Sequence, residues 1–281
     1  MAKQRISLYY IAQEYLKSSW FREKSAATQK QYEYYINFYD GRALAVLASK
    51  FKASDADAMY QSIKENNGLR TAEYFSSVWK VVFRYAELNG HVDRNPWTVV
   101  KIKGSKPRQV MWMRQHVTDI VAHAAAAGDN HLAAFVQLMY ETAQRPSDVL
   151  HINSWYNDGD QWFIYIQQHK TGAKVTVPIS ERAWELCGSP EANSRALLLD
   201  SKATLDAFRL RFKALRDTLG FPKELQLRDL RRTAITEMSE RGATDEEMRT
   251  VSGHVDSSML PTYSVPSIVK AQTMFDRRFK E

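Results

Sequence analysis

The stretch Ser252-Gly253-His254-Val255-Asp256-Ser257-Ser258-Met259-Leu260-Pro261-Thr262-Tyr263 places a phenol nine residues after an imidazole. Two further pieces lie upstream, Arg228-Asp229-Leu230-Arg231-Arg232-Thr233 and, well before it, Thr142-Ala143-Gln144-Arg145-Pro146-Ser147-Asp148. A tyrosine with its ordinary pKa near ~10 becomes a competent nucleophile only beside cations. Arginine is the side chain best matched to a phosphate, because its planar fork gives two parallel charged hydrogen bonds and keeps its proton. A phenol with several fixed cations is what an attack on a phosphodiester requires.

Working outward, the 281 residues suffice for two domains, each with its own core. A hydrophobic share of 44% and a charged share of 25% describe an ordinary globular chain rather than a disordered one. The net charge of +7 and pI near 9.3 suit a polyanionic partner, although many proteins are mildly basic. Cys187 is the single cysteine, which excludes an internal disulfide and a thiolate metal cluster and suits a reducing cytoplasm. The N-terminal segment is amphipathic and soon interrupted by charge. It reads as neither a signal peptide nor a membrane span, and the expected location is the cytoplasm.

The first hundred residues read as a helical unit. Leu8, Ile11, Ala12, Tyr15 and Leu16 recur at helical spacing, as do Tyr32, Tyr35, Ile36 and Tyr39. A further helix is predicted over Ala53 to Lys64 with Ser54 as its cap, and another over Thr71 to Leu88, stopped by Gly90. Asn95-Pro96-Trp97 closes the unit. Residues 98–110 then carry Lys101, Lys103, Lys106 and Arg108 without an acid, which reads either as a linker lying along phosphates or as a solvated hinge.

In the second unit, helices are predicted over 113–127 and 131–140, with a short one after Arg145 because Pro146 suits a first helical position. Trp162 to Gln167 and Lys174 to Val177 are strand-like and flank His169-Lys170-Thr171-Gly172, so they should pair as a hairpin. Helices follow over 181–186, 204–219, 227–241 and 245–251, and a last one over 267–279. On the 227–241 helix, Arg228 and Arg231 are expected to face the same way. Asp148, three residues after Arg145, is placed to orient its guanidinium.

The order and spacing of these pieces resemble the catalytic domain of the tyrosine recombinase family, the phage integrases and their Xer-type relatives. The family pattern is an arginine in Thr-Gly-x-Arg-x-x-Glu, a lysine in a β-hairpin, a His-x-x-Arg pair, a Gly-His pair and a tyrosine nine residues later. Here Arg145, Lys170, Arg231, Gly253-His254 and Tyr263 match it. The resemblance covers nearly the whole chain, since the first hundred residues look like the family's helical core-binding domain. It implies a mainly α fold with a small β-hairpin or sheet. Residues 1–97 would be a core-binding (SAM-like) domain, 98–110 a basic linker, and 111–281 an α+β recombinase domain with a tail helix. Position 228, usually histidine, is arginine, which does not accept a proton near neutral pH. Ala143 replaces the usual glycine, Asp148 a glutamate and Ser252 a leucine.

By the same resemblance, Tyr263 is the nucleophile and forms a 3′-phosphotyrosyl bond. Arg145, Arg231 and His254 hold the phosphate oxygens, Lys170 is the general acid, and Arg228 adds a phosphate contact. No metal, ATP or other cofactor is implied. The implied partners are double-stranded DNA with inverted repeats, three further copies of the chain on that DNA, and accessory DNA-bending proteins in some systems. The tail around Ile268 and Phe275 would dock either on a neighbouring protomer or on its own domain. Two other readings remain open at this point: a catalytically impaired DNA-binding relative, which Arg228 favours, and a type IB topoisomerase-like nicking enzyme.

Overall fold

The computed structural model describes residues 6–39, 41, 43–106, 108–188 and 204–254. The chain divides into two compact units, Met1–Lys106 and Pro107–Glu281. Tyr263 and the tail helix expected over 267–279 lie outside the described residues.

The first unit contains α1 (Leu8–Lys17), α2 (Ser19–Arg22), α3 (Ala26–Ile36), α4 (Ala53–Asn67) and α5 (Leu69–Leu88). Its core forms where the predicted stripes meet: Leu8, Ile11, Ala12 and Tyr15 of α1 pack with Phe75, Val78, Trp79, Val82 and Phe83 of α5, all buried. Ser54 is not the cap of α4. The helix starts at Ala53 as expected, with Lys52 in the cap position and the Asp55 carboxylate accepting the Lys52 N–H at 2.8 Å. A carboxylate in the first turn satisfies an otherwise open amide and lies favourably in the helix dipole. The Asn95 side chain accepts the Trp97 N–H and donates to the Lys80 carbonyl, locking Trp97 into the core.

Residues 98–106 are fastened to this unit rather than hanging free. The Lys103 N–H donates to the Tyr60 hydroxyl at 3.0 Å, and Ser105 donates through both its N–H and its hydroxyl to Glu73 Oε2. Lys101, Lys103 and Lys106 nonetheless keep exposed side chains.

The second unit contains α6 (Arg114–Ala126), α7 (Asn130–Thr142), α8 (Pro146–Leu150), β1 (Ser154–Asn157), β2 (Trp162–Gln167), β3 (Lys174–Ile179), α9 (Glu181–Leu186), α10 (Leu205–Thr218), α11 (Asp229–Glu240) and α12 (Asp245–Ser252). The strands form one antiparallel sheet in the order β1-β2-β3, with Gln167 opposite Lys174 at the hairpin mouth. Ile164, Ile166, Val175, Val177 and Ile179 alternate onto the face that joins the helical core around α7, where Phe135 stacks on Phe208. β1 was not expected from sequence. It is short and mostly exposed, and it pairs because Tyr156 lies flat on Phe163 at a ring separation of 5.0 Å.

Candidate active site

α7 ends at Thr142, and Ala143 takes a left-handed conformation (φ 54°, ψ 26°) that turns the chain sharply. It is the one non-glycine residue with positive φ among those described. The turn makes Arg145 the cap residue of α8, with Pro146 filling the first helical position. The Arg145 side chain remains about a quarter exposed. Its Nη1 donates to Gln168 Oε1 at 2.8 Å and stands 3.6 Å from Asp148 Oδ2. Asp148 is buried, and its other oxygen accepts the His169 N–H at 3.0 Å, so the carboxylate joins the start of α8 to the hairpin turn.

That turn carries Lys170 with an exposed side chain. It closes with the Gly172 N–H donating to the Gln168 carbonyl at 2.8 Å, and with the Thr171 hydroxyl donating to Gln168 Oε1 at 2.8 Å. Gly172 (φ 69°) supplies the left-handed residue the turn needs.

Arg231 and His254 form the buried floor. Arg231 is only 4% exposed, and its Nη1 donates to the Ala143 carbonyl at 2.9 Å, pinning the turn that presents Arg145. α12 stops at Gly253 (φ 67°), which swings His254 inward. Arg231 Nη2 lies 3.0 Å from His254 Nε2 and 3.4 Å from Nδ1. One donor that near both nitrogens is in line with neither lone pair, so the guanidinium lies against the face of the ring. Burial, then Arg231, then Arg145 push the imidazole pKa down to about 4, leaving the ring neutral at ordinary pH. The Ser252 hydroxyl donates to the Met248 carbonyl and lies 2.7 Å from His254 Nδ1, so the hydroxyl oxygen accepts and the ring proton belongs on Nδ1.

Arg228, helical in its own backbone (φ −61°, ψ −21°), differs from Arg231 in burial. It precedes the first helical residue of α11 and is exposed, whereas Arg231 points into the core. With Pro146, Arg209 and Lys213 it lines a cleft of about 380 Å³. Arg209 and Lys213, one turn apart on α10 and both exposed, are cations the sequence reading did not single out. Arg108 is not an open cation of the linker: its Nε and Nη2 bind both oxygens of the buried Asp229 at 2.8 and 3.0 Å. The structure thus joins Arg145, Asp148, Arg231 and His254 to the Lys170 turn, leaves Arg228 in the cleft that Pro146 also lines, and ties Arg108 to Asp229.

Two residues at the centre were also missed. Gln144 and Gln168 are both buried, and Gln168 Nε2 donates to Gln144 Oε1 and to the Ser252 carbonyl, each at 2.7 Å. Only the adjacency of Gln144 to Arg145 hinted at this. Among the described residues, no group of three or more His, Cys, Asp or Glu side chains is arranged to hold a metal ion, and no helix is long and apolar enough to cross a membrane.

The sequence model of the phage integrase family matches residues 109–267, more than half of the chain. The chain belongs to that family. As a phage integrase relative it is a tyrosine-type site-specific recombinase. No curated protein matches the sequence significantly. Among solved integrases, a lambda integrase dimer bound to a COC′ core site superposes with a TM-score of 0.80 at 19% identity, covering 94% of this chain and 79% of that one. A lambda integrase tetramer bound to a Holliday junction gives 0.80 at 19% identity, with 93% and 78% covered. The Tn1549 transposon integrase in complex with circular intermediate DNA gives 0.76 at 13% identity, with 96% and 99% covered. At such identities the likeness establishes the fold, including that of the helical first unit.

Proposed function

We propose that this integrase cuts and rejoins DNA at specific sites for a phage or mobile element, with Tyr263 attacking a phosphodiester. The attack forms a bond from the phenol oxygen to phosphorus and breaks the bond to the 5′ oxygen, leaving a 3′-phosphotyrosyl ester and a free 5′-hydroxyl. The ester retains the bond energy, so rejoining to a partner strand needs neither ATP nor a metal. The observation that carries the reading is the nearness of both Arg231 and Arg145 to His254, with the Arg145 side chain still about a quarter exposed.

Each group has a role that follows from its setting. Arg145 and Arg231 hold the non-bridging oxygens as negative charge builds, an effect worth about 10²–10³ in rate per donor. A phosphate between them offsets their charge and raises the proton affinity of His254, so that Nε2 gains a proton and donates as well. Lys170, on a solvent-facing turn, protonates the departing 5′ oxygen. Arg228, with Arg209 and Lys213, contacts phosphates beyond the scissile one, and Lys101, Lys103 and Lys106 do so from the first unit. Exchange between two duplexes bearing inverted repeats calls for four protomers, assisted in some systems by DNA-bending proteins, in the cytoplasm of the host cell.

The test begins with duplexes selected from a random-sequence pool by the protein's own binding and then nicked, so that cleavage releases a short fragment and traps the covalent complex. Wild type is expected to yield a band that survives denaturation with protein on a 3′ end, while Tyr263→Phe binds equally well and yields none. Binding without an adduct from wild type would replace this reading with the impaired DNA-binding relative. Plasmid relaxation without recombinant products would replace it with the type IB reading.

A further inference from the structure

We infer that Gln144 and Gln168 form a buried amide clasp that positions Arg145, the Lys170 turn and His254 together for attack on the phosphodiester. This rests on the recombinase reading above. Gln168 is only 1% exposed and faces two ways. Its Oε1 accepts from Arg145 Nη1 and from the Thr171 hydroxyl, each at 2.8 Å. Its Nε2 donates to Gln144 Oε1 and to the Ser252 carbonyl. Gln144, 0% exposed, donates in turn to the Thr142 carbonyl at 3.0 Å and to the Val251 carbonyl at 2.7 Å. Three segments distant in sequence are thereby joined by two side chains. Each segment carries a candidate reacting group within two residues of the clasp: Arg145 beside Gln144, Lys170 after Gln168, and His254 after Ser252.

The chemistry calls for an amide here. One end of the Gln168 head must accept from a guanidinium and a hydroxyl while the other donates to a carbonyl and an amide oxygen. A carboxylate lacks the donor, and a lysine or arginine lacks the acceptor. Neutrality matters equally. A hydrogen-bonded ion pair would orient Arg145 but hold it against an incoming phosphate, whereas a neutral oxygen orients it without adding a second negative charge to that of Asp148. Asp148, the nearest carboxylate oxygen to Arg145, stands off at 3.6 Å. The fold also makes room for the clasp: a Cβ on Gly253 would collide with the Gln168 amide. Burying two amides contributes less to stability than apolar packing in the same volume, so their value lies in fixing where neighbouring groups point.

Gln168→Met and Gln144→Met preserve side-chain length and remove the hydrogen bonds. In DNA-free protein, the His254 ring titration followed by NMR is expected to move upward in Gln168→Met as Arg145 swings away and the Ser252–His254 turn loosens; an unmoved midpoint overturns the clasp. On the nicked duplex, affinity is expected to stay within about threefold while covalent adduct forms roughly tenfold to a hundredfold more slowly, the scale of an ångström-sized misplacement. An adduct rate per bound complex equal to wild type overturns the positioning role even if melting temperature falls. If wild type itself forms no adduct, the recombinase reading fails and the NMR comparison alone judges the clasp. If wild type forms adduct, Arg145→Ala does not and Gln168→Met matches wild type, the clasp alone fails. Should the methionine variants not fold, Gln168→Glu, which pairs with Arg145 as an ion and loses the donor to Gln144 and Ser252, is expected to slow adduct formation at similar affinity, and an adduct rate equal to wild type overturns the positioning role.

Discussion

Gly253→Ala separates two physical effects that usually arrive together, because Gly220 provides a matched control. Both glycines sit at φ 67°, and a methyl on Gly220 would meet nothing within 4 Å. At Gly220 the substitution costs only the left-handed strain of an L-residue, about 1–2 kcal/mol, reduced by about 0.4–1 kcal/mol through the stiffer unfolded chain. At Gly253 the same strain applies, and the methyl also displaces the Gln168 amide. Nε2 then leaves two buried acceptors, Gln144 Oε1 and the Ser252 carbonyl, without their donor. Each orphaned buried group costs about 1–3 kcal/mol, so Gly253→Ala should lose about 2–6 kcal/mol more than Gly220→Ala, whose own loss is about 0–2 kcal/mol. That is a large part of a typical domain's stability of about 5–15 kcal/mol. Urea unfolding of the two variants, compared at equal m-value, measures the difference. If Gly253→Ala falls within 1 kcal/mol of its control, the close approach of Gln168 does not constrain this turn and the steric reasoning is wrong.

Other outcomes follow from the same geometry. Arg108→Ala should destabilise the second unit by about 1–3 kcal/mol, because it strands a buried carboxylate whose partner is itself partly solvated; the salt dependence of DNA affinity should not change, whereas Lys103→Ala should lower that slope by about one. His254 takes up its proton far more readily unfolded (pKa near ~6.5) than folded (about 4). The stability it confers is therefore complete above about pH 6.5 and drains away as pH falls toward 4, by up to about 3 kcal/mol. Unfolding curves of His254→Gln should be flatter than wild type across that window, and identical slopes would refute the buried neutral imidazole. For Ala143→Gly, relief of left-handed strain offsets the lost methyl and the looser unfolded chain, so calorimetry should find it within about 1 kcal/mol of wild type.

What the sequence disclosed and what it hid divide along physical lines. Helices such as α5 and α10 were readable because burial of one stripe repeats with the helical period, and the hairpin because two alternating apolar runs flank a glycine turn. β1 was hidden because its stability comes from pairing with β2, not from its own pattern. Arg145, Arg231 and His254 were legible through their spacing within a family-wide arrangement. Gln144 and Gln168 were not, since an amide carries no charge and its value depends on partners far along the chain. Arg108 was read as an open cation because composition counts charge without knowing that Asp229, 121 residues away, neutralises it. That Arg228 is exposed and Arg231 buried was hidden because helical spacing tells which residues share a side but not how deep each lies.

The fastening of residues 98–106 to Tyr60 and Glu73 bears on how such a protein is recombined with its own kin. A chimera joined at Asn95-Pro96-Trp97, where the compact helices visibly end, would sever those bonds and leave a foreign strap with nothing to grip. Splicing after Lys106 keeps the strap with its native anchor and delivers a portable module, three lysines included, to a new cutting domain.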